Sequence, residues 1–489
     1  MANFFKANTK KQPVKKTLAK PISIKIDKLD SHGCGVGKYR NKPIFVEGAL
    51  PTEQVEVKIF EEKNKFSRAK LLKVTEQSAS RVKAQCQHFL KCGGCDLQHL
   101  EVSEQINFKQ QKTSSLMSRA GMSLSMVESL PWQNALQDSA WHYRRKARIG
   151  VQYNKKGEAT IGFREKNSNQ LVAIKSCPVL VKPLNSIFPL LNELVNKLSE
   201  KNAIGHIEVI NAYTSQDDIK ATIVIRQLRR FKKSDLQLIK AYQEQHAWQV
   251  LFDLGKTEQE TADLEKEAQG KDSQSIKQIE ECNKQQTELL SYTLDDNLKI
   301  QFSYSDFIQV NEAINAKMVS QALSWLEVSS SNEKTKHYNV LDLFCGLGNF
   351  SLAIANYVNT VVGVEGVQAM VNKAKQNAEL NKLTNTEFYQ ADLNDPNLVE
   401  SAKTQSNHWI NQVYHCVLLD PARAGAEKAI EFVATMDSPL ILYISCDPQT
   451  LARDSQVLLN NGYVIDKIST LDMFVHTKHV ETMVLFKLA

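Results

Sequence analysis

The sequence predicts an α/β protein that ends in a parallel sheet and begins with a small β-barrel. From about residue 338 onwards, near-continuous apolar strands alternate with helical segments, which is the pattern of a parallel sheet covered by helices on both faces. Between residues 22 and 74, short strands alternate with glycine turns, which favours a small barrel of the OB type. The 489 residues allow roughly three domains.

The composition is that of a globular protein, with 42% apolar residues, 24% charged residues and a net charge of +7. No apolar run approaches the ~18–20 residues of a membrane helix, so we expect no membrane contact. Residues 1–21 carry six lysines and no acid. Because no apolar stretch follows them, they predict a flexible basic arm and not a secretory signal. Nine cysteines in such a chain indicate a reducing, cytoplasmic location and favour metal binding or catalysis over disulfides.

The barrel prediction covers residues 22–78, and barrels of this type are frequent RNA-binding scaffolds. Its strands are predicted at 22–26, 42–46, 55–59 and 69–74, with turn signals at 31–35 and 48–51. Residues 79–300 are assigned to a central α+β domain, whose helical segment near 100–130 can pack on the C-terminal domain. Within the central domain, residues 256–290 lack aromatic side chains and are rich in charged ones. They predict an exposed insertion without recognisable chemistry.

Two clusters of basic residues interrupt the central domain. They comprise Arg144, Arg145, Lys146 and Arg148 in the first, and Arg226, Arg229, Arg230, Lys232 and Lys233 in the second. Clusters of this kind usually form solvated faces. Together with the basic arm they fit a nucleic-acid surface equally well.

The C-terminal domain, residues 301–489, contains a candidate nucleotide-cofactor site. Its strands are predicted at 340–344, 360–364, 416–420 and 440–444, and its helices at 350–357, 367–381, 425–435 and 449–461. Gly346 and Gly348 lie between the first strand and the first helix, where they permit a tight turn and a close approach to a ligand. Glu365 ends the next strand, where a carboxylate can accept both hydroxyls of a ribose.

The turn does not have the full dinucleotide fingerprint. Ser351 stands where a third glycine is expected, and no lysine follows to suggest a phosphate loop. S-adenosylmethionine therefore fits better than NAD. Asp392 lies beyond the predicted third strand, where it can bond the adenine or cap a helix, and the two interpretations are equally supported.

Cys446 is a candidate nucleophile at the point where a strand runs into a helix. The positive end of the helix dipole is expected to stabilise its thiolate and lower its pKa; the alternative is a buried structural cysteine. Asp420 follows the preceding strand, and Glu481 leads into the predicted last strand at 483–486. Glu481 is a candidate base or a surface carboxylate, and His476 nearby is a candidate capping residue.

A thiol, a carboxylate base and a methyl donor together indicate methylation at carbon 5 of a pyrimidine. That carbon becomes nucleophilic only after a thiolate has added to carbon 6. A base must then remove the carbon-5 proton so that the thiolate can leave.

Four cysteines form a candidate metal site. Cys86, Cys92 and Cys95 lie close together and Cys177 is distant, a set that can hold zinc or an iron–sulfur cluster. The spacing does not decide between the two. With four ligands the site would be closed, hence structural or redox-sensing.

These motifs together resemble the RNA 5-methyluridine methyltransferases, in particular the type that modifies uracil in 23S ribosomal RNA. The resemblance implies a TRAM barrel at residues 22–78, an iron–sulfur central domain and a Rossmann-like class I methyltransferase domain at 301–489. It implies that a [4Fe–4S] cluster is held by Cys86, Cys92, Cys95 and Cys177. The S-adenosylmethionine pocket would be lined by Gln309, Phe344, Asn349, Glu365, Asp392 and Asp420.

The resemblance also makes Cys446 the nucleophile and Glu481 the base, and it implies ribosomal RNA as the partner. No protein partner is indicated, and a monomer is expected. Asp447 departs from the family, which usually has asparagine there, and its charge is expected to raise the pKa of the thiol. Val475 stands in place of a usual proline. The target uracil must leave its stack, and Phe307 or Phe474 can then stack on it.

Two alternatives remain open. One is the same chemistry on transfer RNA, which is disfavoured because the tRNA-specific relatives generally lack the barrel and the four cysteines. The other is a non-catalytic, iron–sulfur-dependent RNA-binding assembly factor.

Overall fold

The computed structural model describes residues 20–253, 289–294, 297–328, 333–398 and 408–489. The predicted basic arm, except its last two residues, and the predicted charged insertion up to residue 288 lie outside the described residues. The chain forms two compact units. Unit 1 contains the described residues up to Leu90, Cys95–Phe108 and His476–Lys478. Unit 2 contains Lys91–Gly94, Lys109–Val475 and His479–Ala489.

Unit 1 is built on a closed five-stranded barrel. Its strands are β1 (Ile22–Leu29), β2 (Gly35–Tyr39), β3 (Lys42–Glu47), β4 (Gln54–Glu62) and β5 (Ser67–Glu76), in the order β1-β2-β3-β5-β4, with β4 closing on β1. Alternate residues such as Ile26, Ile44 and Val57 fill the interior. The predicted barrel is confirmed. Strand β2 is an addition to the four predicted strands.

A loop of unit 1 holds the short segment His476–Lys478. The backbone N–H groups of Asp96 and Leu97 both donate to the carbonyl oxygen of His476, each at 2.9 Å. The side chain of Gln105 accepts from the backbone N–H of His476 at 2.9 Å. His476 has a φ of +65°, so these bonds fix a backbone conformation that is uncommon for a residue other than glycine.

Unit 2 contains a mixed sheet that corresponds to the predicted central domain. Its strands are β6 (Lys146–Tyr153), β7 (Ala159–Arg164), β8 (Leu171–Ala173), β9 (Ile204–Tyr213), β10 (Ile219–Gln227), β11 (Gln249–Asp253), β12 (Leu290–Thr293) and β13 (Lys299–Phe302). Their order is β11-β10-β9-β6-β7-β8, and the β12–β13 hairpin joins at β9. The helices are α1 (Val102–Arg119, in unit 2 from Lys109), α2 (Leu124–Glu128), α3 (Lys182–Asn185), α4 (Phe188–Lys197) and α5 (Lys233–His246).

The second sheet of unit 2 is the one predicted for the C-terminal domain. Its strands are β14 (Asn339–Leu343), β15 (Thr360–Glu365), β16 (Thr386–Gln390), β17 (Cys416–Leu419), β18 (Leu440–Ser445), β19 (Tyr463–Leu471) and β20 (Glu481–Leu488). Their order is β16-β15-β14-β17-β18-β20-β19. The helices are α6 (Glu312–Trp325), α7 (Ser351–Ala355), α8 (Gln368–Leu380), α9 (Glu427–Val433) and α10 (Pro448–Asn460).

Five of these strands, β14 to β18, pair with one another in parallel, and β20 runs antiparallel to both of its neighbours. The apolar runs are buried on both faces: in β18, Leu442 and Ile444 join one core cluster, and Ile441 and Tyr443 join the other. Strand order reverses at β14, which has β15 on one side and β17 on the other. Open parallel sheets bind ligands at the carboxyl edge beside such a reversal.

In the part of the chain that the structure describes, no helix combines the length and the apolar character needed to cross a membrane.

Candidate active site

The turn after β14 has the backbone geometry of a ligand-binding loop. Phe344, Gly346 and Gly348 have φ values of +63°, +56° and +91°, a region that a bulky residue such as Phe344 rarely adopts. A Cβ added at Gly346 would meet no atom within 4 Å. One added at Gly348 would lie 2.9 Å from the Leu352 side chain. The turn thus faces open space at Gly346 and is tightly packed at Gly348.

Two carboxylates brace this turn. Oε2 of Glu365 accepts from the backbone N–H of Gly346 at 3.1 Å, and Oε1 accepts from that of Val367 at 3.1 Å. Asp342 is buried and accepts a short hydrogen bond from the Ser351 hydroxyl. Burial raises the pKa of Asp342 to about 7. Glu365 remains partly exposed at the end of β15, where the sequence predicted a ribose-binding acid.

Asn349 belongs to a polar cluster that sequence reasoning did not identify. Its side chain exchanges two hydrogen bonds with that of Asn315, at 2.9 and 3.0 Å. The Tyr292 hydroxyl donates to Oδ1 of Asn349 at 2.9 Å. Because Tyr292 and Asn315 lie far from Asn349 in the sequence, no local pattern could have linked them.

Gln309 is held by a residue of the first basic cluster. Arg145 is 1% exposed, and its Nε donates to the carbonyl oxygen of Gln309 at 3.0 Å. Its guanidinium carbon lies 4.3 Å from the centre of the Tyr292 ring, a cation–π contact. The Gln309 side chain is itself buried.

The first basic cluster is therefore only partly a solvated face, and the sequence interpretation was wrong for two of its members. Arg145 is buried, and Nζ of Lys146 is directed inward to the carbonyl oxygens of Tyr304 and Asp306, at 2.7 and 2.8 Å. Arg148 remains exposed and pairs with Glu208. A run of basic residues in a sequence does not reveal which of their side chains stabilise an internal loop.

Asp392 lies two residues beyond β16, with its side chain exposed. Its Oδ1 accepts from the backbone N–H of Asn394 at 2.9 Å. The residue therefore caps a local turn. Its proposed contact with an adenine stays a prediction.

Strands β17, β18 and β20 bring the predicted reacting residues to one edge of the sheet. Ser445 at the end of β18 pairs with Thr482 of the antiparallel β20. Cys446 follows Ser445 and Glu481 precedes Thr482, so the two lie at neighbouring strand ends. Asp420 directly follows β17, which pairs with β18 on its other side.

The charges at this edge oppose ionisation. Glu481 is 3% exposed, and burial raises its pKa to about 7. Burial and then the charge of Glu481 raise the pKa of Asp420 to about 8. Burial, Glu481 and Asp420 raise the pKa of Cys446 to about 11, although Arg423 acts in the opposite direction.

The expected low thiol pKa is therefore wrong, because burial and the two carboxylates raise the pKa of Cys446. Asp447 has a different role from the one expected. Its Oδ1 accepts from the backbone N–H of Gln449 at 2.8 Å, which makes it the N-cap of α10. The carboxylates that raise the pKa of the thiol are those of Glu481 and Asp420.

Similar proteins identify the family. A family model described as tRNA (Uracil-5-)-methyltransferase matches residues 122–488. The chain belongs to this family. A model of the TRAM domain matches residues 15–72, so the barrel is a TRAM domain. The predicted resemblance to uracil-5 methyltransferases is confirmed.

Relatives of similar length carry a more specific name. A protein of Colwellia psychrerythraea is 50% identical and covers 99% of both chains. One of Psychromonas ingrahamii is 43% identical and covers 99% of this chain and 100% of its own. Both are called 23S rRNA (uracil(1939)-C(5))-methyltransferase RlmD.

A solved structure shares the fold. The Pyrococcus abyssi tRNA (uracil-54, C5)-methyltransferase, solved with S-adenosyl-L-homocysteine, is 20% identical, with a TM-score of 0.63. The match covers 95% of this chain and 100% of that one. The predicted methyltransferase fold is confirmed.

The four predicted metal ligands are divided between the two units. Among the described residues, no three His, Cys, Asp or Glu side chains form a metal-binding group. Cys86 and Cys95 belong to unit 1, and Cys92 and Cys177 belong to unit 2. The four-cysteine site thus stays a prediction.

The two candidate stacking residues differ in exposure. The Phe307 side chain is 71% exposed. Phe474 is partly buried and meets the ring of His479 edge to face, with centroids 5.9 Å apart. Of the two, Phe307 has more surface available to a base.

Proposed function

We propose that this protein transfers a methyl group from S-adenosylmethionine to carbon 5 of a uridine in 23S ribosomal RNA. The observation that carries the proposal is the pairing of β18 with β20, which brings Cys446 and Glu481 to neighbouring strand ends. A thiol and a buried carboxylate are the two groups that this chemistry requires.

The glycine turn fits S-adenosylmethionine. The open space at Gly346 and the partly exposed carboxylate of Glu365 suit a ribose and its substituent, and this loop carries no lysine for a pyrophosphate. When bound, S-adenosylmethionine supplies an electrophilic methyl group. The contacts of Arg145 with Gln309 and Tyr292, and of Tyr292 with Asn349, also support this proposal, because they fix two of the residues expected to line the cofactor site.

The protein's own residues then complete the reaction. The Cys446 thiol loses its proton to solvent, and the resulting thiolate forms a bond to carbon 6 of the uracil. The electron pair of the carbon 5–carbon 6 double bond moves into an enolate. After carbon 5 has taken the methyl group, Glu481 removes the proton from that carbon. The released electron pair restores the double bond and expels the thiolate.

Ribosomal RNA is favoured over transfer RNA by the relatives that match almost the whole chain and are named for 23S rRNA. Such a substrate implies action in the cytoplasm, and the TRAM barrel supplies an RNA-binding module. The target uridine is expected in a loop or an unpaired segment, since the base must leave its stack.

A side-by-side assay tests this function. Unmodified 23S rRNA and unmodified tRNA are each incubated with the protein and methyl-labelled S-adenosylmethionine, with Cys446→Ala as the inactive control. Label in 5-methyluridine of 23S rRNA is the expected result. Labelling of tRNA alone would support the transfer-RNA alternative. No labelling of either RNA would support a non-catalytic RNA-binding factor.

We also propose that Cys86, Cys92, Cys95 and Cys177 hold a [4Fe–4S] cluster. Four thiolates are a soft donor set that suits iron–sulfur clusters. The backbone N–H of Gly94 lies 3.4 Å from Sγ of Cys92, as in cluster sites whose sulfurs accept amide hydrogen bonds. Anaerobic purification should yield a brown protein with about four irons and four sulfides per chain. A Cys177→Ser variant should lose this colour, and a colourless wild-type protein with bound zinc would contradict the proposal.

A further inference from the structure

A buried ion pair lies at the end of β19. Lys109 of α1 and Asp472 are 0% and 1% exposed, and Nζ of Lys109 lies 2.6 Å from Oδ1 of Asp472. The same Nζ donates to the carbonyl oxygen of Phe474 at 3.1 Å. A buried ammonium group is costly unless it is paired and hydrogen-bonded. The ammonium group of Lys109 is both paired with Asp472 and hydrogen-bonded to the backbone of Phe474.

The pair lies beside the proposed catalytic base. Asp472 directly follows Leu471, the last residue of β19, and Leu471 pairs with Glu481, the first residue of β20. The backbone N–H of Asp472 is also fixed, by the carbonyl oxygen of Leu136 at 2.9 Å. Lys109 therefore anchors the strand end that faces Glu481.

Glu481 needs an opposing charge to act as a base. Its Oε2 is buried and has no hydrogen-bond partner within the described residues. The ionisable groups around it are Asp420 and Cys446 on the neighbouring strand ends, Asp472 beyond β19, His479 just before it, and Lys109 on α1. Lys109 acts against burial and lowers the pKa of Glu481.

We propose that Lys109 is a positioning residue of the methyl-transfer reaction: with Asp472 it fixes the strand end beside Glu481, and its positive charge favours the negative form of that carboxylate for proton abstraction. This inference rests on the proposed function. In the simplest alternative, the ion pair only stabilises the fold.

Replacing both charged residues at once distinguishes a role in the reaction from a role in the stability of the fold alone. In Lys109→Met/Asp472→Asn, neither charge is left unpaired in the interior, so the variant is expected to fold, since apolar replacement of a buried pair is often neutral. Of the two charges that are removed, only Lys109 acts on Glu481, and it lowers the pKa of that carboxyl. The double replacement should therefore raise the pKa of Glu481. A base with a raised pKa stays protonated to higher pH, so the acid limb of product formation should move to higher pH.

The measurement is single-turnover methylation against pH, with the covalent RNA–protein adduct followed on denaturing gels. At about pH 6.5 the double variant should form product at least about fivefold more slowly than wild type, and the rates should converge near about pH 9. Methylated adduct should accumulate at the lower pH, because the stalled step is removal of the carbon-5 proton. Glu481→Gln provides the reference, with adduct at every pH.

A matched control removes an ion pair at the surface. Lys317 and Asp138 lie 2.6 Å apart and are both solvent-accessible, so Lys317→Met/Asp138→Asn should keep the wild-type pH profile. A Lys109→Met/Asp472→Asn profile identical to wild type, or a loss of rate that is equal at all pH values without adduct, would overturn the inference. If wild type itself methylates no RNA, the proposed function fails instead.

Discussion

Ser445 of β18 is paired with Thr482 of β20, and this single register places the proposed nucleophile next to the proposed base. A shift of one residue would turn alternate side chains to the opposite face of the sheet. The register is stabilised by burial of the paired apolar residues, with Leu442 and Leu485 on one side and Tyr443 and Val484 on the other. The core of the domain thus specifies the geometry of its reacting edge.

Replacing either member of this pair should stop the reaction at a different step. Cys446→Ala cannot add to carbon 6, so neither product nor RNA–protein adduct should form. Glu481→Gln can still add and accept the methyl group, so adduct should accumulate while product formation falls by about 10²–10⁴-fold. Denaturing gels with labelled RNA separate the two outcomes. Adduct formation by Cys446→Ala would show that another residue is the nucleophile.

The pKa of the Cys446 thiol should depend on the charge of Asp420 and not on that of Asp447. Burial and then the charges of Glu481 and Asp420 raise the pKa of this thiol to about 11, whereas Asp447 caps α10. Asp420→Asn removes a negative charge, so the pKa should fall and alkylation of Cys446 should begin at lower pH. Asp447→Asn should leave the alkylation profile close to wild type. Mass spectrometry of the Cys446 peptide after iodoacetamide treatment at a series of pH values measures the alkylation profile of both variants.

Arg145 should contribute to the affinity for S-adenosylmethionine. Its place in a cluster of basic residues suggested a solvated side chain, but the side chain is buried. Arg145→Met removes the hydrogen bond to the Gln309 carbonyl and the cation over Tyr292. We expect the Kd for S-adenosylmethionine to rise by about tenfold, equivalent to ~1.4 kcal/mol. Arg148→Met, three residues further along the chain, is the control, and its Kd should stay near wild type because that side chain is 69% exposed. Isothermal titration calorimetry measures the Kd of both variants, after thermal unfolding has shown that both are folded. Equal affinities of Arg145→Met and Arg148→Met for S-adenosylmethionine would contradict the assigned role of Arg145.

Much of this architecture could be predicted because apolar runs report directly on buried strands. Strands β14, β15, β17 and β18 and the glycine turn after β14 follow from such local patterns. Strand β2 was missed because Gly35 and Gly37 resemble turn residues. A Cβ at Gly37 would lie 2.3 Å from the Lys25 carbonyl oxygen, so glycine is required there by close strand contact.

The missed site residues depend on tertiary contacts. Lys109 meets Asp472, and Tyr292 meets Asn349, across long stretches of sequence. The direction of the pKa shift of Cys446 was wrong for the same kind of reason. The helix dipole is visible in the sequence, whereas the degree of burial and the two neighbouring carboxylates appear only after folding.

The two glycines of the cofactor turn should give opposite phenotypes when replaced by alanine. Gly346→Ala places a methyl group in open space, so the fold should lose only about 1–2 kcal/mol for the left-handed backbone. That methyl group would occupy the space assigned to S-adenosylmethionine, and its Kd should rise at least about tenfold, ~1.4 kcal/mol. Gly348→Ala forces a Cβ to within 2.9 Å of Leu352, so its main effect should be a lower Tm. Thermal unfolding and calorimetric titration of both variants test this contrast. Wild-type affinity in a folded Gly346→Ala protein would show that the cofactor does not lie against this turn.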